Sequence, residues 1–227
     1  MDLGAELIGR LGITPPAHVA LVGGGGKTTL MLALCAEGRA RRWRCAAGTT
    51  TRVGAWQVRD AAPFLHGGRE GDKLVGLPTG AFDERFLGGE FDLLVVEADG
   101  SRGKVVKAPA DHEPVIPSSV TQVIAVIGAD ALDRVIEDVA HRPMRTAALC
   151  GCGPYERLTP ARAALLLSSP RGGRKSVPPT AQFAVAVTRI GERQQAGASR
   201  LVTLLGERGI VAIPLPLVTD SGVLAGG

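Results

Sequence analysis

The 227-residue chain is poor in aromatic side chains: phenylalanine, tryptophan and tyrosine make up 4% of it, with a single tyrosine. A surface that stacks bases would need more of them, so nucleic acid is not an expected partner. Cysteine is scarce as well. Cys35, Cys45, Cys150 and Cys152 are too few for the dense framework of a small secreted domain. No apolar run approaches the ~20 residues that a membrane-spanning helix needs, and the N-terminus lacks the pattern of a secretory signal. The expected setting is therefore a reducing cytoplasm, with no membrane. The charge imbalance is small, 26 lysines and arginines against 22 acids. The basic clusters at residues 39–44 and 171–175 read as solvated surface. A hydrophobic content of 45% over this length supplies a sizeable core, and one domain over residues 1–227 is expected.

Glycine, by contrast, is abundant at 31 residues, and its densest run marks the stretch on which the reading turns. Val19-Ala-Leu-Val-Gly-Gly-Gly-Gly-Lys-Thr-Thr-Leu30 puts an apolar, strand-like segment before four glycines, a lysine and two threonines. A helix-forming run through Leu34 follows. Strand, glycine loop and helix start make a phosphate cradle, because inward-turned amides and a helix N-terminus attract oxyanions. Gly23, Gly24, Gly25, Gly26, Lys27, Thr28 and Thr29 are the expected nucleotide contacts, with Lys27 at the terminal phosphates and Thr28 on Mg2+. The usual spacing has another glycine six positions before the lysine, where Leu21 stands. The remaining G-x-x-G-K-T is similar to the shorter loop of Mur-type ligases, more than to that of Ras-like GTPases.

A second block, Phe91-Asp-Leu-Leu-Val-Val-Glu97-Ala-Asp99-Gly-Ser-Arg102, is a continuous apolar run ending in alternating acids. Such a run reads as a buried parallel strand. Alternation puts Glu97 and Asp99 on one face of its end, as metal-holding or catalytic acids of the Walker B kind. Arg102 and Lys104 follow at once and would stabilise developing phosphoryl charge. Ser101, Lys104, Lys107 and His112 are candidate contacts for an anionic substrate, with His112 and Glu113 also candidates for acid–base work. Gly48-Thr-Thr-Thr-Arg52 should close a second strand, Trp43 to Ala47, at the ligand-bearing edge of the sheet. That adds Thr50, Thr51 and Arg52 to the substrate candidates. Cys150-Gly-Cys152 has the form of a soft-metal or selenium site, beside the plainer reading of two loop cysteines.

Leu3, Leu7, Ile8 and Leu11 recur at helical spacing, so residues 1–14 are expected to hold a short amphipathic helix. The first core strand, His18 to Val22, and a helix from Lys27 to Gly38 come next. Residues 53–90 read as an irregular insertion with one short helix, Phe82 to Leu87, and an extra strand. Strands at Val120 to Ile127, Phe183 to Val187 and Ile210 to Pro214, with helices from Thr159-Pro160 to Leu167 and from Glu192 to Glu207, continue an alternating βαβ order. The expected fold class is α/β: a three-layer, P-loop NTPase-like domain whose mainly parallel twisted sheet is flanked by helices.

The blocks Val22-Gly-Gly-Gly-Gly-Lys-Thr-Thr29, Thr49-Thr-Thr-Arg52, Val96-Glu-Ala-Asp-Gly-Ser-Arg102, Lys107-Ala-Pro109, His112-Glu-Pro-Val-Ile-Pro117 and His141-Arg-Pro143 occur in this order. Together they resemble the YqeC-like family of selenium-dependent hydroxylase accessory proteins. The resemblance implies a cytoplasmic P-loop protein that assists maturation of selenium-dependent molybdenum hydroxylases, with such a hydroxylase or its cofactor-maturation proteins as partner. One strand end departs from the family. Where an Asn-Lys-x-Asp-like segment tends to stand, this chain has Thr188-Arg189-Ile190-Gly191, with Gly191 in place of the acid that would meet guanine. ATP is thus expected rather than GTP. The expected function is a Mg2+-dependent NTPase or phosphoryl-transfer enzyme. One alternative is a nucleotide-gated metal or selenium chaperone, motivated by Cys150 and Cys152. Another is a small-molecule kinase or Mur-like ligase, motivated by the short loop and the basic segment after Asp99.

Overall fold

The computed structural model describes residues 2–59, 61 and 63–216. Asp2 opens the first helix by accepting the amides of Gly4 and Ala5. That helix, α1 (Leu3–Leu11), buries Leu3, Leu7 and Ile8. Strand β1 (Ala17–Gly23), the glycine loop and α2 (Lys27–Ala40) follow. The next strand is β2 (Cys45–Thr49). It starts later than the sequence pattern suggests, because the Trp43 amide closes α2 by donating to Gly38 O at 2.9 Å.

The stretch read as an irregular insertion is richer than expected. It holds β3 (Arg52–Gly54), β4 (Phe64–Leu65), β5 (Gly68–Glu70), β6 (Lys73–Val75) and α3 (Thr79–Leu87). Strands of two or three residues carry too little alternation to announce themselves. The rest of the chain gives β7 (Leu93–Glu97), β8 (Val106–Lys107), β9 (Gln122–Gly128), α4 (Ile136–Val139), β10 (Ala140–His141), α5 (Pro143–Cys150), α6 (Pro160–Ser168), β11 (Gln182–Ile190), α7 (Gln195–Gly206) and β12 (Val211–Pro216).

The main sheet has seven strands in the order β12-β11-β9-β1-β7-β2-β4, and every neighbouring pair is parallel. A parallel sheet must be covered on both faces, and alternation along the strands divides the core accordingly. Val19 and Leu21 of β1 pack under α1 and α2 with Leu30, Met31 and Leu34. Ala20 and Val22 face the other way, toward Leu166 of α6 and Leu201 and Leu205 of α7. Phe82 of α3 covers Ala46, Leu94 and Val96 on that second face. Strands β3, β6 and β5 form a separate antiparallel sheet. No helix among the described residues is long and apolar enough to cross a membrane.

Because β1 lies between β7 and β9, the strand order reverses around it, and the crevice at its carboxyl end is where such sheets take ligands. At the opposite end a polar link ties α3 to the sheet. Ser119 Oγ donates to Asp83 at 2.7 Å, so the 2.9 Å contact between Ser119 Oγ and His18 Nδ1 needs a proton on Nδ1. His18 is fully buried, and its Nε2 is left without a partner. Burial pushes its pKa down to about 4, against the pull of Asp83.

The folded-state value lies below the unfolded 6.5, so this site's stabilisation is whole above pH 6.5 and is lost as pH falls toward 4. Urea denaturation should find about 2 kcal/mol less stability from this site at pH 5 than at pH 7.5. In His18→Asn, which has no proton to take up, the difference should shrink. An equal pH effect in the two proteins would remove His18 as its source.

Candidate functional site

Gly26 starts α2 in a left-handed conformation, φ 114°, without a side-chain cap. The amides of Gly25 through Thr29 meet no protein acceptor among the described residues. The two glycines before them are already engaged. Gly23 N–H donates to both oxygens of Asp99, at 3.1 and 3.0 Å, and Gly24 N–H donates to Val126 O at 2.9 Å. The cradle thus lies two residues further along than Gly23–Gly26. Close approach requires glycine at three positions. A Cβ on Gly23 would lie 2.4 Å from Val126 O, one on Gly24 2.6 Å from Lys104 O, and one on Gly25 2.3 Å from Gly128 N. Thr188 supports the loop from beneath, its hydroxyl shared between Gly25 O and Ile127 O.

Glu97 and Asp99 both reach the loop but do different things. Glu97 Oε2 accepts the Thr28 hydroxyl at 2.9 Å, and Oε1 lies 3.6 Å from Lys27 Nζ. Asp99 is nearly saturated: besides the Gly23 amide it meets Lys27 Nζ at 3.1 Å and Lys107 Nζ at 3.2 Å. Lys27 also donates to Gly23 O at 2.6 Å. Burial opposes the Lys27 charge, but Asp99 and Glu97 outweigh it and hold its pKa above the ordinary lysine value. The line of charges continues from the buried Lys107 toward the cavity wall. Lys107 meets Glu113 at 2.9 Å, and Glu113 meets Arg142 at 2.7 Å. Burial alone would raise the Glu113 pKa, but Lys107, the Ala110 amide and Arg142 bring it down to about 2.

An open cavity of about 760 Å3 covers the loop. Thr51, Arg52, Ser101, Arg102, Lys104 and His112 line it. Two of the substrate contacts expected from the sequence do not. Thr50 spends its hydroxyl on Val115 O at 2.8 Å. Lys107 has no exposed side-chain surface and donates to Gly100 O. A lysine so enclosed is a counter-ion for Asp99 and Glu113, which is a correction to its reading as a substrate contact. Lys73 and Arg142 also line the cavity, although sequence reasoning does not single them out as ligand contacts. The His141-Arg-Pro143 block is the available signal for Arg142; a lone lysine on a three-residue strand offers none.

Three cavity arginines, Arg102, Arg142 and Arg189, have positive φ, at 51°, 66° and 59°. Each such conformation costs about 1–3 kcal/mol and is held by its surroundings. For Arg102 the reason is local: Ser101 to Lys104 is a tight turn closed by the Lys104 amide on Ser101 O at 3.0 Å, with Gly103 at φ 76°. The cysteine pair lies elsewhere. Cys150 is buried, donates to Arg162 O, and has its pKa pushed up to about 12 by burial. A thiol held in its protonated form is a poor metal ligand.

Removing Lys107 would leave Asp99 and Glu113 short of their shared cation in a buried setting. Lys107→Met is expected to cost about 3–5 kcal/mol in chemical denaturation. A loss below about 1 kcal/mol would mean that solvent reaches the pair.

Comparison with known proteins completes the picture. Residues 19–144 match the family model described as "YqeC protein". The chain is 30% identical over 247 aligned residues to YqeC of Escherichia coli (strain K12), covering 99% of this chain and 94% of that one. Among solved structures, chloroplast FtsY from Physcomitrella patens is similar with a TM-score of 0.54 at 14% identity, over 97% of this chain and 67% of that chain. The parallel sheet, the loop after β1 and that likeness establish a P-loop NTPase-like, three-layer α/β fold. With more than half its length under the family model, and a relative matched nearly end to end, the chain belongs to the YqeC family.

Proposed function

We propose that the protein binds a magnesium–nucleoside triphosphate at the loop and either hydrolyses it or transfers its γ-phosphoryl group. The observation that carries this reading is the row of unengaged amides, Gly25 to Thr29, beside the Thr28–Glu97 pair. Lys27 leaves Asp99 and Gly23 O for the terminal phosphates. Arg102, in the tight turn whose Lys104 carbonyl lies against Gly24, and Lys104, on leaving Asp138 O, stabilise the charge that develops there. A hydroxyl and a carboxylate are hard oxygen donors and suit Mg2+. Among the described residues no group of three or more His, Cys, Asp or Glu side chains is placed to hold a metal, so phosphate oxygens and water would complete the shell of an ion at Thr28 and Glu97. When bound, Mg2+ supplies Lewis-acid neutralisation of the phosphate oxygens. Asp99 is the organiser of the loop rather than a further ligand, since its oxygens are taken by Gly23, Lys27 and Lys107.

A smaller recess of about 200 Å3, lined by Leu3, Leu30, Leu215 and Pro216, opens beside Gly25 and Gly26 and suits the flat apolar face of a base. Gly191 stands where a guanine-reading acid would be needed, which supports ATP over GTP. We place the protein in the cytoplasm as an accessory factor in maturation of selenium-dependent molybdenum hydroxylases, a role supported by its family membership. The buried Cys150 weakens the motive for a metal or selenium chaperone.

Calorimetry and phosphate-release assays test the reading. Lys27→Ala should weaken Mg–ATP binding at least tenfold, and Glu97→Gln should raise the Mg2+ concentration needed for half-maximal turnover at least tenfold. If both variants bind and turn over like the parent, the loop is not a nucleotide site.

A further inference from the structure

The cavity is lined by more than the phosphate loop. Its volume, about 760 Å3, is that of a pocket for a drug-sized ligand, and the reading above puts the base in the separate apolar recess. Besides the loop, Thr28 and Glu97, its lining includes residues that the nucleotide reading leaves unused: Arg52 and Lys73 on the small antiparallel sheet, and His112, His141 and Arg142.

The charges around the cavity do not balance. Arg52 pairs with Glu70, Arg142 with Glu113 and Arg189 with Asp130. Lys27 and Lys107 are met by Glu97, Asp99 and Glu113. Lys73, Arg102 and Lys104 have no carboxylate partner among the described residues. Eight cations therefore face five carboxylates. A magnesium–triphosphate brings about two negative charges and leaves a positive remainder. His141 adds a donor without adding charge. The Arg142 guanidinium can only donate, at 3.4 Å, to His141 Nδ1, so the neutral ring carries its proton on Nε2.

The far wall is also firmly placed. Gly76, next to β6, sits so close to the end of β2 that a Cβ on it would lie 2.2 Å from the Thr50 carbonyl carbon. The Leu77 amide donates to Thr49 O at 2.9 Å, and Thr49 is the register partner of Glu97. The strand that carries Lys73 is thereby fixed relative to the metal-binding acid.

We propose that Lys73, Arg52, Arg142 and the two histidines bind a second substrate in this cavity, a small molecule with two or more negative charges on phosphate- or carboxylate-type oxygens, alongside the nucleotide. The inference rests on the nucleotide reading above, and the experiment separates the two. The protein is first saturated with a non-hydrolysable ATP analogue and excess Mg2+, then titrated calorimetrically with inorganic pyrophosphate and, separately, with tricarballylate. One equivalent of at least one probe should bind to the loaded protein. Lys73→Glu, an exposed change that breaks no ion pair, should weaken that probe at least tenfold and leave analogue affinity within twofold. The inference is overturned if neither probe binds the loaded protein, if the probe expels the analogue, or if Lys73→Glu weakens probe and analogue alike. Failure of the parent to take up the analogue at all would instead overturn the nucleotide reading, and this inference with it. If Lys73→Glu does not fold, Lys73→Gln serves, with the same outcomes at a smaller fold-change.

Discussion

A row of alternating charges, Lys27–Asp99–Lys107–Glu113–Arg142, runs from the phosphate loop to the start of α5, with successive contacts of 3.1, 3.2, 2.9 and 2.7 Å. Much of it is shut away from water, where each charge needs the next. Its members come from α2, the end of β7, β8, the loop before β9 and the residue that starts α5. The row therefore fixes the relative positions of segments that the sheet alone does not join. It also gives the loop lysine a resting place. Asp99 and Gly23 O hold the Lys27 ammonium there.

The same row separates two acids that are close in sequence and alike in chemistry. Glu97 keeps one oxygen on the Thr28 hydroxyl and the other away from any tight ion pair. Asp99 is drawn into the loop by the Gly23 amide and two lysines. Their different surroundings leave one with an oxygen clear of close ion pairs and use the other to hold the loop in shape. The second glycine of the run works in the same direction. Its lack of a side chain lets the Ser101–Lys104 turn lie against the loop, and Arg102 and Lys104 come with it.

The small antiparallel sheet extends these cationic surroundings outward. Among the described residues, strands β3, β6 and β5 pair only with one another, yet close backbone contact at Gly76 seats them on the end of β2. Backbone strain accumulates around the same opening, in Arg102, Arg142 and Arg189. Strain of this kind persists where the surroundings over-determine a conformation, and ligand sites are where it tends to collect.

The large elements are legible from the residues alone because each carries a periodic signal. Continuous apolar runs announce β1, β7 and β9, and Thr159-Pro160 marks the start of α6 at its first residue. The glycine run with Lys27 and Thr28 identifies the phosphate loop, since few other needs place a lysine and a hydroxyl there. Strands of two or three residues have no such period, and β3 to β6 read as one irregular stretch. Partnership across distant positions is equally hidden. Nothing local distinguishes Lys107, an enclosed counter-ion, from Lys104, a cavity-lining cation three residues earlier. Local chemistry thus fixes which segments become strands, helices and an anion-binding turn. Which amides are free, which acid keeps an oxygen clear of close ion pairs and which cations line the cavity depend on burial and on contacts between segments far apart in the chain, and those quantities exist only once the chain has folded.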